Sequence, residues 1–276
     1  MAYNLYIIKV YRGIIFMDAK INTKTLGVLN AVSFAVMIVM NILANALPIN
    51  GITTGEVSKM YPNLFTPAPY TFSIWSLIYI ALFIFILYQL GVFSGYALKS
   101  LVSDIGYVFI ASSLANALWI VSWHYNLIIL STAIMLVILI SLITLYKRLY
   151  KRKGVSTKEK ILAHIPFSIY LAWIVVATIA NITVLLVALK WNTFGIPAEI
   201  WTIFVIIFAF LLTMSFIFKY KDISFGIVIL WAFFGILVKH ITFYNSEYTG
   251  IIASLVVGII LVVFDMIYVL YKRFKN

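Results

Sequence analysis

Three groups of side chains in this sequence have the types and spacing to line a ligand pocket. Phe72, Trp75 and Tyr79 stand three and four residues apart, so on a helix they share one face. Ser112, Asn116, Trp119 and Trp123 repeat at i, i+4, i+7 and i+11. Tyr170, Trp173, Ala177 and Asn181 repeat at i, i+3, i+7 and i+11, with Thr178 beside them. Indole and phenol rings offer apolar faces and one polar edge, and a carboxamide offers both donors and an acceptor. Such a set can bind and orient a ligand. The same rings and amides would also serve to pack helix on helix, and the residues alone leave both uses open. Sets for other chemistry are missing from the sequence. It has no cysteine, hence no thiolate nucleophile, disulfide or Cys-based metal site, and no paired carboxylates, Ser/His/Asp set or phosphate loop. No two of His124, His164 and His240 share a helix at metal-ligand spacing. His124, beside the second stripe, is the one placed to reach a haem iron, although a solvated interfacial histidine is the plainer reading.

The stripes lie inside long apolar runs. Hydrophobic residues make up 64% of the 276 and charged residues 10%, a balance set by lipid rather than water. A helix needs roughly 20 residues to cross the hydrocarbon core, and the apolar runs have that length without the alternation of a barrel strand. They predict an all-α integral membrane protein with helices near 26–47, 70–93, 105–123, 126–147, 163–189, 197–218, 222–240 and 249–271. Counting alternate sides, all but three (Lys59, Lys190 and Lys239) of the 20 Lys and Arg residues fall on one face. By the positive-inside rule that face is cytoplasmic and carries both termini, which reads as a prokaryotic plasma-membrane protein. The net charge of +12 therefore orients the chain in a bilayer and does not imply nucleic acid. The apolar run Leu26 to Leu47 is longer than a signal-peptide core, so the first helix is expected to be retained. Residues 1–25 form a cytoplasmic segment that suits an interfacial helix or lies upstream of a functional start at Met17. On this topology Trp75, Tyr79, Asn116, Trp119, Ala177 and Asn181 fall in the outer half of the membrane. Above them lies the longest outer loop, Pro48 to Pro69, rich in Pro and Gly.

Three segments resemble one family. NLFTPAPYTFSIWSLIY, Asn63 to Tyr79, looks like the start of the second helix in the TspO/MBR family of tryptophan-rich sensory or translocator proteins. ASSLANALW, ending at Asn116 and Trp119, is similar to that family's third helix, and YLAWIVVATIAN, Tyr170 to Asn181, to its fifth. The departures are also specific. Phe72 precedes Trp75 by three residues where the family more often has four, Ile169 stands where a proline is usual, and Met60-Tyr61 replaces a Trp-Tyr pair. The resemblance covers residues 26–190, implying a TspO-like five-helix unit, with residues 191–276 as three additional helices.

The resemblance implies a membrane protein that binds an apolar, planar or sterol-like ligand, such as a porphyrin or haem, in sensing or transport. No cofactor is required. On the residues that match, it places the ligand among Phe72, Trp75, Tyr79, Asn116, Trp119, Trp123, Tyr170, Trp173, Ala177 and Asn181. The alternatives are a porphyrin-modifying enzyme using its tryptophans, and a non-catalytic scaffold or accessory subunit. Two further features stand apart from the stripes. Asp265 is an acid well inside an apolar run, about a turn or two from water or Lys272. Gly250, Ser254 and Gly258 form a small-residue ridge suited to close packing within the chain, or to a homodimer.

Overall fold

The computed structural model describes residues 22–93 and 98–275, except for the side chain of Phe274. The expectations for an interfacial segment before residue 22, and for Met17, lie outside the described residues. Eight helices are long and apolar enough to cross a membrane, one for each run read in the sequence. They are α1 (Thr23–Ala46), α2 (Ile74–Gln89), α3 (Lys99–His124), α4 (Ile128–Lys151), α5 (Ile165–Ala188), α6 (Ala198–Tyr220), α7 (Ile223–Thr242) and α8 (Thr249–Lys275).

Local chemistry sets their ends. The Asn22 side chain caps α1 by accepting from the Lys24 amide, and Asp222 caps α7 by accepting from the Phe225 amide at 3.1 Å. Lys221 adopts the left-handed conformation (φ 52°), so α6 turns into α7 within two residues. Helix α3 begins six residues earlier than its apolar run suggests, because its first turn is polar and is broken from the rest at Gly106 (φ 56°, ψ −150°). A side chain there would be strained by that φ and would meet the Arg148 guanidinium at 3.3 Å. Arg148 donates to the Asp104 carbonyl, and Arg152 bonds Ser100, Asp104 and Glu159, which fixes this turn to the end of α4.

Helix α5 is the axis of the bundle, with every residue from 166 to 176 buried. It packs on α4 and α7, α3 bridges α1 and α4, and α8 lies on α6 and α7. The outer faces of α6 and α8 carry Phe204, Phe208, Leu211, Ile260, Phe264 and Ile267 exposed, as lipid contact requires. At the basic end one carboxylate joins three helices. Asp222 Oδ2 accepts from the Tyr146 hydroxyl at 2.7 Å, Tyr150 at 3.1 Å and Ser168 at 2.7 Å. The small-residue ridge is used inside the chain. Gly250 abuts Glu199 and donates its amide to that carboxylate, while Gly258 abuts the Phe233 ring. Asp265 does not reach Lys272, whose ammonium lies over the Tyr268 ring. The Asp265 side chain is buried, with Oδ2 unbonded.

Candidate ligand-binding cleft

At the end of the bundle opposite Asp222, the segment between α1 and α2 folds into a cover. Thr53 starts a short helix, Thr54–Lys59, through a reciprocal cap in which Glu56 accepts from the Thr53 amide at 2.6 Å and from its hydroxyl at 2.8 Å. Those two bonds, the amide first, hold the Glu56 carboxyl below the usual carboxylate range. Asn63 Oδ1 then accepts from the amides of Phe65 and Thr66 and from the Thr66 hydroxyl, which turns the chain down toward the 3₁₀ turn Pro69–Ser73.

Beneath this cover is a cleft of about 1210 Å³. Its ring wall is Phe72, Trp75, Tyr79 and Trp119, its α1 side includes Asn41 and Asn45, and its mouth includes Tyr61, Lys239 and Tyr244. Four of the ten side chains predicted from the sequence thus line it. Of the others, Asn116, Trp123, Tyr170, Trp173 and Asn181 are buried and Ala177 is partly buried; none of the six lines the cleft.

Five of those six are tied to the wall, all but Ala177. Trp173 stands edge-on to Phe72 at 5.9 Å and to Trp75 at 6.2 Å between ring centroids, and Tyr170 is edge-on to Trp75 at 6.1 Å. Trp75 stacks on Tyr79 at 5.3 Å, and Trp119 on Trp123 at 5.7 Å. The carboxamides are engaged within the protein, as their cost in hydrocarbon demands. Asn116 accepts from Asn41 at 2.8 Å and donates to the Tyr170 hydroxyl at 3.1 Å. Asn181 accepts from the Trp119 indole at 2.8 Å and donates to Thr132 at 3.0 Å. The first and third stripes therefore meet ring to ring, and the second joins the third through two hydrogen bonds. Two donors stay unused, the Tyr79 hydroxyl and the Trp173 indole N–H, both buried without a partner.

His124 is not at a solvated interface. It is fully buried under the loop helix, donating through Nδ1 to the Ile120 carbonyl at 2.7 Å, with the Thr54 hydroxyl 3.4 Å from Nε2. Both nitrogens are thus engaged within the protein.

Sequence reading missed Asn41 and the whole contribution of α7. Asn41 is an amide in an apolar run, so the rule that singled out Asn116 would have found it. Helix α7 carried no such signal, because its partners are main-chain carbonyls. Trp231 donates to the Thr71 carbonyl at 2.9 Å, His240 to Leu64 at 2.9 Å, and Lys239 to Asn63 at 3.1 Å and Thr66 at 2.9 Å. In return the Ala68 amide donates to the Gly235 carbonyl.

Fold and site together define an all-α integral membrane protein with a ring-walled cleft under a folded cover at one end. Set against known families, residues 27–268 match the family described as TSPO-like protein, and the chain belongs to that family. The match runs through α6 and α7 and most of α8, well past residue 190, where the resemblance read from the sequence stopped. No curated protein and no solved structure matches the chain.

Proposed function

We propose that this protein binds an apolar, planar or sterol-like small molecule in the cleft between the loop and the Trp75–Trp119 wall, and that it acts in sensing or transport. The observation that carries this reading is the cleft itself, an indole and phenol wall opening at one end of a membrane bundle. A site of this kind draws most of its affinity from aromatic contact and apolar burial. In this reading Phe72, Trp75, Tyr79 and Trp119 touch the ligand. Trp173, Tyr170, Asn116, Asn181 and Trp123 hold those rings in place. The test is a titration of detergent-solubilised protein with protoporphyrin, a sterol and a phospholipid, following absorbance and tryptophan quenching. Saturable quenching by a flat apolar member of the panel supports the reading; no saturable response to any of them contradicts it.

A further inference from the structure

The mouth of the cleft contains a cation without a counter-charge. Lys239 is half-buried on the last turn of α7 and lines the cleft. Its ammonium has three N–H donors, of which the carbonyls of Asn63 and Thr66 take two, and it lies 5.5 Å from the centre of the Tyr244 ring, so every group it meets is neutral. No carboxylate lies within ion-pair distance of it among the described residues. The acid that lines the same cleft, Glu56, is committed to the amide and hydroxyl of Thr53, and the other lysine that lines it, Lys59, is exposed to solvent on the loop helix with Glu56. Withdrawing a lysine from bulk water with only neutral acceptors is unfavourable, and a bound anion would offset that cost through a charge-assisted hydrogen bond.

From this geometry we infer that the cleft selects an amphipathic anion, an apolar body carrying a carboxylate or phosphate head, and that Lys239 is the residue that receives the head. The inference rests on the reading of the cleft as a ligand site. It adds a polar end to the ligand and gives α7 a part in specificity.

Pyrenebutyrate and its methyl ester share one flat apolar body and differ in one negative charge. Their affinities for the purified protein in phosphatidylcholine nanodiscs give an acid-to-ester ratio, and comparing that ratio between variants cancels partitioning into lipid. Lys239→Gln keeps amide donors for the loop carbonyls and removes the charge, whereas Lys239→Arg keeps the charge. The expected result is a ratio about tenfold lower in Lys239→Gln, the equivalent of roughly 1.4 kcal/mol, with the loss falling on the acid rather than the ester, and the ratio retained in Lys239→Arg. Phosphatidylglycerol added to the nanodiscs separates the sources of the head group. If it lowers the acid-to-ester ratio of the parent more than that of Lys239→Gln, a lipid phosphate takes the site; if it lowers both alike, a free carboxylate does. A ratio equal in parent and Lys239→Gln, or equal weakening of acid and ester, would make Lys239 a loop tie and overturn the inference. Failure of both probes to bind the parent would instead sink the reading of the cleft, and this inference with it.

Discussion

The side chains that decide this site do so through hydrogen bonds that lipid cannot replace. Trp119 has two separable roles, since its ring walls the cleft while its N–H satisfies the Asn181 carbonyl. Trp119→Phe keeps an aromatic wall and removes the donor. It should lower thermal stability in detergent by the roughly 1–3 kcal/mol of an orphaned buried acceptor, while reducing ligand affinity only slightly. An unchanged melting temperature would mean that Asn181 finds another donor. The types of these residues were legible in the sequence, because an amide in an apolar run must face protein or a cavity. Their division into wall and support was not. Helical spacing fixes which residues share a face, but Trp173 and Trp119 both sit on inward faces, and only the positions of neighbouring helices decide that the Trp119 ring borders the cleft while Trp173 is closed in by Phe72 and Trp75.

Among the elements, α7 contributes most that the sequence did not disclose. Its spacing predicts a span, and a span it is, but its use as the clamp on the 63–71 loop depends on close approach at Gly235. A Cβ at that position would lie 2.0 Å from the Thr71 hydroxyl oxygen and 2.9 Å from the Thr71 Cβ, so the turn leading into α2 would have to move. Gly235→Ala is therefore expected to cost about 1–3 kcal/mol of stability and to weaken binding in the cleft together with it. Differential scanning fluorimetry beside the ligand titration measures both, and a variant that matches the parent in each would show that α7 does not hold the cover. Trp231 belongs to the same clamp, since its indole bonds the Thr71 carbonyl. Trp201, on α6 and bonded to the Thr193 carbonyl, lies outside it and serves as a control for tryptophan substitutions. The start of α3 departs from its apolar run for a related reason. Hydropathy marks that run near residue 105, and the turn before it is held by the bonds of Arg148 and Arg152 and by burial of Leu101 and Val102.

At the scale of the molecule, composition and hydropathy were enough to set the class and the number of spans, because lipid admits few ways to satisfy a backbone. The extent of the family was less legible. Motifs confined to α2, α3 and α5 trace the resemblance only to residue 190, whereas the family match runs through residue 268, and α7 packs on α5. The topology itself yields a prediction. A reporter fused after Asn276 should be cytoplasmic, because eight crossings return the Lys272, Arg273 and Lys275 cluster to the side of the basic N-terminal segment. Labelling of a cysteine substituted for Asn63 should proceed from outside; a reporter found outside, or a thiol at that position reached only from within, would refute this orientation. The function proposed for the molecule depends most directly on whether the Trp119 wall contacts a ligand, and one titration decides that. With the flat ligand that quenches the parent most strongly, Trp119→Ala should weaken binding by at least about tenfold, corresponding to roughly 1.4 kcal/mol, while Trp201→Ala binds as the parent does. Equal affinity in the parent and Trp119→Ala, or a loss confined to Trp201→Ala, would contradict the cleft as the binding site.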